Sequence, residues 1–132
     1  MFYCLQLKIF AMSGEKKYTV VLGASANPSR YSFLAVNRLV QHGHQVLPIG
    51  IREGEIAGIK ISTETPFVKD VDTITLYLNP ARQKQYYDYI LRLHPKRIIF
   101  NPGSENDELE KLASANGIQP LEACTLVMLS TG

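Results

Sequence analysis

The stretch Tyr18-Thr-Val-Val-Leu-Gly-Ala-Ser-Ala-Asn-Pro-Ser-Arg-Tyr-Ser32 decides the fold. A β-branched apolar run, Tyr18 to Leu22, empties into a loop of Gly, Ser, Asn and Pro, after which Phe33, Leu34, Val36 and Val40 recur at helical spacing. Strand, loop and helix in that order make the first βα unit of a nucleotide-binding sheet. A loop at the carboxyl end of a parallel strand presents backbone N–H groups, and the helix start behind it carries partial positive charge. Phosphate is the ligand that suits both.

The same alternation continues outward. The helix ends at Gly43, flanked by His42 and His44, and a second strand reads Gln45–Ile49. Residues 51–65 read as a loop carrying one edge strand, Ile59-Lys-Ile-Ser62. A third strand, Thr73–Leu78, is stopped by Asn79-Pro80, and a helix runs from about Ala81 to Leu93 before His94-Pro95 breaks it. A fourth strand, Arg97–Phe100, ends in Asn101-Pro102-Gly103; a helix follows over about Glu105–Ala115, and Gln119–Leu129 is left for a last strand and tail. The pattern predicts an α/β protein: a single doubly wound domain with a mainly parallel sheet of about five strands. Four strands end in turn chemistry on one side, at Gly23-Ala24-Ser25, Pro48-Ile49-Gly50, Asn79-Pro80 and Asn101-Pro102-Gly103, where such a sheet forms its ligand crevice.

A length of 132 residues fits one domain, and 45% apolar with 20% charged residues is ordinary for a soluble globular protein. A net charge of +2 is too small for a nucleic-acid surface or an anionic membrane. No run of about eighteen apolar residues occurs, so no membrane span is expected. Cys4 and Cys124 are far apart, and Cys124, in an apolar segment, reads as a buried thiol in a reducing, cytoplasmic setting. Residues 1–16 read as a leader before a domain over 17–132: Met1 to Ala11 are apolar and aromatic but lack a charged n-region and a cleavage site. Met12 looks like an ordinary start, so the residues before it are taken as added or mis-assigned, with an extra strand or helical turn as the alternative.

The dinucleotide fingerprint needs G-x-G-x-x-G and an acidic residue closing the second strand. Here Gly23 is followed by Ser25 and Pro28 at the other glycine positions, and Pro48-Ile49-Gly50 carries no carboxylate. The loop instead offers Ser25, Asn27, Ser29, Arg30 and Ser32, neutral donors and one guanidinium suited to several phosphate oxygens. A Walker A loop is absent.

The run Val20-Val-Leu-Gly-Ala-Ser-Ala-Asn-Pro-Ser-Arg-Tyr-Ser32 resembles the opening motif of the small CoA-binding domain proteins, single Rossmann-like domains similar to the CoA-binding domain of succinyl-CoA synthetase α-subunits. The resemblance covers Tyr18 to the C-terminus. Glu55-Ile56-Ala57-Gly58 matches the family's Glu-Ile-x-Gly segment, whereas Pro48-Ile49-Gly50 stands where the family has an Asn-Pro turn. The family's Trp-x-Gln-x-Gly appears as Ile99-Phe-Asn-Pro-Gly103, its next asparagine as Asn106, and its terminal Asp-Arg-Cys as Glu122-Ala123-Cys124. The resemblance implies CoA or an acyl-CoA lying across the strand ends. Its phosphates would lie near Gly23, Ala24, Ser25, Pro28, Arg30, Tyr31 and Ser32, with Pro48, Asn79, Asn101 and Gly103 as further contacts.

His42, His44 and His94 border helix ends and read as caps, not metal ligands. Asp70 and Asp72 fall at the amino end of the third strand, away from the crevice. The carboxylates read as spread through helices and turns, and no Ser-His-Asp or Cys-His set can be assembled. No catalytic residue and no metal site is assigned, and the chain reads as a binding module. The alternatives are an NAD(P)-dependent oxidoreductase with a degenerate fingerprint, or a regulatory module that has lost its ligand. Tyr86, Tyr87 and Tyr89 form a packing or interface stripe, which leaves a homodimer or a partner protein open.

Overall fold

The computed structural model describes residues 17–131. The expected leader, Met12 and Cys4 lie outside the described residues.

Five parallel strands form one sheet: β1 (Thr19–Leu22), β2 (Val46–Ile49), β5 (Thr73–Leu76), β6 (Arg97–Phe100) and β7 (Gln119–Glu122), in the order β2-β1-β5-β6-β7. β1 and β5 are buried along their whole length, which is why TVVL and TITL are continuous apolar or β-branched runs. Their alternate residues face opposite layers. Val20, Leu22, Ile74 and Leu76 join one core cluster, with Ile98 and Phe100 of β6, under α3 (Tyr87–Leu93) and α4 (Asp107–Ala115). Val21 and Val46 face the other layer, built from α1 (Tyr31–Gln41) and α5 (Thr125–Thr131), where Val36, Leu39 and Leu129 pack. The predicted doubly wound, Rossmann-like architecture is the one observed.

α1 buries Ser32, Ala35, Val36 and Leu39, one helical stripe, and closes with a Schellman turn: Gly43 N–H donates to the Val40 carbonyl and His44 N–H to that of Leu39. His94 ends α3 in the left-handed region at φ 46, ahead of Pro95. Asp72 fastens the amino end of the sheet to Lys17 (3.8 Å) and Arg97 (3.9 Å) and accepts the Thr73 hydroxyl, away from the crevice as expected.

Three elements differ from expectation. Residues 51–65 carry a two-stranded antiparallel ribbon, β3 (Glu55–Ile56) and β4 (Ile59–Lys60), where one edge strand was expected. Its turn needs positive φ at both central residues, which Ala57 (53°) and Gly58 (80°) supply. The helix after β5 is α2 (Pro80–Gln83), a 3-10 turn over Lys84–Tyr86, then α3. Finally, the last strand stops at Glu122 and the apolar tail is α5, not extended chain. Of the tyrosine stripe, Tyr86 and Tyr89 are buried in the core and Tyr87 is half-buried, so packing accounts for it. No helix among the described residues is long and apolar enough to cross a membrane.

Candidate functional site

The loop from β1 into α1 gathers seven of the predicted residues in one place. Gly23 leaves β1 at φ 96°, and a Cβ on it would stand 2.6 Å from the Tyr77 carbonyl oxygen, so only glycine lets the loop pass that close to the exit of β5. The N–H groups of Gly23 and Ala24 both donate to the Ile49 carbonyl at 2.9 Å, tying this loop to the end of β2. Pro48, buried beside Val21 in the β1–β2 register, belongs to the same wall through its backbone.

Beyond Ala24 the loop is held by its own polar groups. The Ser25 hydroxyl accepts from Asn27 N–H at 3.1 Å, and the Asn27 side-chain oxygen accepts from the N–H (3.0 Å) and the hydroxyl (2.9 Å) of Ser29. Arg30 N–H donates to the Asn27 carbonyl at 3.0 Å. Asx and Ser turns of this kind fix a short loop without help from the core. Pro28 and Arg30 are exposed, Tyr31 is 75% exposed, and Ser32 is buried at 3% on the inner face of α1.

Helix starts distinguish this loop from its neighbours. The Asn79 side chain caps α2 by accepting from Arg82 N–H (3.0 Å), and Asn106 caps α4 by accepting from Leu109 N–H (3.1 Å). α5 is capped from a distance, Thr125 N–H donating to the Asn101 side-chain oxygen at 2.8 Å. α1 has no side-chain cap and no acidic residue in its first turn; the position a capping oxygen usually takes is held by Arg30. Among the described residues, the N–H groups of Ser25, Ala26, Tyr31 and Ser32 have no acceptor. Unfilled donors, a helix dipole and a guanidinium therefore converge on one short loop.

The remaining predicted residues are placed differently. Asn79 spends its side-chain oxygen on α2. Asn101 is buried at 2% and fully engaged, donating to Thr75 (2.6 Å) and to the Leu76 carbonyl (2.8 Å) while capping α5. It anchors a polar network that sequence reasoning missed. Gln83 donates to the carbonyls of Leu78 (2.7 Å) and Ser104 (2.8 Å) and accepts from Asn106 (2.8 Å), and the Ser104 hydroxyl donates to the Leu76 carbonyl at 3.0 Å. Gly103 lies in an exposed turn at φ 93°, its N–H donating to Glu105.

Two glycines beyond β2 pack closely on this loop: Gly50, expected only as strand-exit turn chemistry, and Gly54, which sequence reasoning missed. A Cβ on Gly50 would run into the Ala24 carbonyl, and one on Gly54 would stand 2.8 Å from the Ala26 Cβ. Neither has positive φ, so close approach is what demands them, and an otherwise unexplained glycine after a strand was the available signal.

Tyr77 follows β5, and its hydroxyl is buried with no hydrogen-bond partner among the described residues; burial pushes the phenol up to about 12. Cys124 is a free, half-buried thiol, less enclosed than the buried thiol expected, because the chain leaves β7 there to begin α5. The carboxylates are not all dispersed either. The parallel register brings Glu122, at the end of β7, to the start of α4, where Asp107, Glu110 and Glu122 place carboxylate oxygens within 4.8 Å of one another. Glu110 is pushed up to about 7, first by Glu122, then by burial and by the charges of Glu122 and Asp107.

The family model described as a CoA binding domain matches residues 17–130. No curated protein matches the chain. A crystal structure of an uncharacterized protein is 52% identical, with a TM-score of 0.87 over 89% of this chain and 98% of the other. A hypothetical protein from Pyrococcus horikoshii OT3 is 21% identical, with a TM-score of 0.82 over 94% of this chain and 89% of the other. A dinucleotide-forming acetyl-coenzyme A synthetase from Ca. Korarchaeum cryptofilum, in complex with phosphate and ADP, is 20% identical; this chain, matched over 86% of its length with a TM-score of 0.68, corresponds to 27% of it. At these lower identities the likeness is one of fold.

Proposed function

This chain belongs to the CoA-binding domain family, and from that premise we propose that it binds CoA or an acyl-CoA across the carboxyl ends of β1, β2 and β5 and does no chemistry on it. The observation that carries the phosphate assignment is the start of α1. Among the described residues the N–H groups of Ser25, Ala26, Tyr31 and Ser32 lack acceptors, and Arg30 stands where a cation is unfavourable to the helix unless an anion joins it. A diphosphate supplies both the missing acceptors and the missing negative charge. Gly23, Ala24, Ser25 and Pro28 shape the loop, and Arg30, Tyr31 and Ser32 lie at its helical end.

Pro48 contributes backbone to the wall beside the loop, and Gly103 an open turn beyond β6. Asn79 and Asn101 act mainly by capping α2 and α5, which fixes the other strand exits. The described histidines stand at helix ends, and among the described residues no nucleophile with a base beside it faces the loop, which supports binding without catalysis. A free Cys124 thiol suits a reducing, cytoplasmic setting.

Calorimetric titration of CoA against the wild type and Arg30→Ala tests the assignment. Loss of a charge-assisted contact should weaken binding by roughly 1–3 kcal/mol. An unchanged dissociation constant would remove Arg30 from the site.

A further inference from the structure

The base of the first βα unit is closed by a histidine. In the turn that ends α1, His44 N–H donates to the Leu39 carbonyl at 3.1 Å, and the His44 side chain then reaches the entry of β1, where Lys17 N–H, 27 positions back in the chain, donates to its Nδ1 at 3.2 Å. Beside this contact Thr19 N–H donates to the Gln45 carbonyl at 2.9 Å, and the parallel pairing of β1 with β2 begins. A peptide N–H can only donate. Nδ1 therefore offers a lone pair, the ring proton sits on Nε2 and the imidazole is neutral. The groups that face the ring oppose its protonation: Lys17 ahead of β1, His42 at the end of α1 and Arg97 of β6 on one side of the balance, and Asp72 ahead of β5 on the other. Asp72 is already engaged by the Lys17 ammonium (3.8 Å), the Arg97 guanidinium (3.9 Å) and the Thr73 hydroxyl (2.6 Å).

We infer that His44 is a pH-sensitive clasp: neutral, it fastens the end of α1 to the entry of β1; protonated, it turns an Nδ1–H toward the Lys17 N–H, donor against donor, and the clasp opens. Burial first, then His42, Lys17 and Arg97, hold the half-buried ring below its ordinary value of 6.5, so the folded chain takes up this proton later than the unfolded chain as pH falls. The stability the clasp contributes is complete above 6.5 and is lost as pH falls through the folded value. The two elements it joins carry the phosphate loop at their opposite ends. The clasp therefore acts on the frame of the site and touches no ligand, and it stands whether or not CoA is what binds there.

The test is thermal unfolding of the full chain between about pH 5 and pH 8 for the wild type, His44→Asn and His44→Ala. An asparagine side-chain oxygen sits as far from the backbone as Nδ1 does, so His44→Asn keeps an acceptor that does not titrate. Relative to wild type, its melting temperature should rise by roughly 2–6 °C as pH falls across this range. His44→Ala should melt below wild type at the upper end and meet it at the lower. Glu110 is common to all three proteins and cancels in these differences. A gap between His44→Asn and wild type that stays constant with pH, or a His44→Ala variant as stable as wild type at pH 8, overturns the inference. Nuclear magnetic resonance of the wild type supplies an independent reading: the His44 ring should titrate below 6.5 and the Lys17 amide shift with it, and a Lys17 amide that stays still while the ring titrates overturns the inference as well.

Discussion

Gly23 carries more of the architecture than any other single residue. Its φ of 96° and the 2.6 Å that would separate a Cβ from the Tyr77 carbonyl oxygen mean that a side chain there strains the backbone and pushes β1's exit away from β5 at once. Gly23→Ala should lower stability by about 1–3 kcal/mol, measured by urea denaturation, and widen the loop so that any nucleotide binds more weakly. A variant of wild-type stability would mean that the turn relaxes without cost. Asn101 teaches a different lesson. As a residue type after a strand it reads equally as ligand contact and as helix-start chemistry, and only its three partners, 24 to 26 positions away or carried on another strand, assign it to structure. Arg30 stood out because its type and position conflict locally, a cation at a helix start, and that conflict needs no tertiary knowledge.

At the scale of elements, β1, α1 and β5 were legible because each obeys one period. TVVL and TITL are continuous runs buried on both faces, and α1 repeats its apolar stripe up to Gly43. α5 was not legible: Thr125-Leu-Val-Met-Leu129 suits strand or helix, and its start depends on a capping oxygen from β6's exit. The junction of α4 with β7 was hidden for a similar reason, since Glu122 meets Asp107 and Glu110 only through the sheet register. That junction predicts a pH dependence. Glu110 is raised from its ordinary value of 4.5 to about 7, so between those values the folded chain holds a proton that the unfolded chain has released. Its contribution to stability is present below 4.5 and is lost as pH rises to about 7, with Glu122 and Asp107 as the charges facing it. Melting temperatures across that window should fall for the wild type and flatten in Glu110→Gln. A Glu110→Gln profile parallel to the wild type would show that Glu110 does not carry the dependence.

Across the whole molecule, the order β2-β1-β5-β6-β7 puts the reversal of strand order at β1, where the Gly23 loop, the Gly50 turn and the exit of β5 meet. The fold class followed from alternating periods along the chain. The candidate site was expected at four punctuated strand exits, and the structure brings the exits of β1 and β2 into contact. The sequence did not convey which exits touch, because close approach of Gly50 to Ala24 and Gly54 to Ala26 is a property of the packed sheet. The central claim is that this crevice takes a CoA-type nucleotide, and it is tested most directly by melting the purified chain with CoA, acetyl-CoA, dephospho-CoA, ADP, NAD and NADP at matched concentrations. A ligand at about a hundred times its dissociation constant adds roughly 2.7 kcal/mol, which is visible as a melting shift. The account predicts the largest stabilisation from CoA and acetyl-CoA, less from dephospho-CoA and ADP, and least from NAD and NADP. Stabilisation by NAD or NADP above that by CoA, or no response to any of the six, would contradict it.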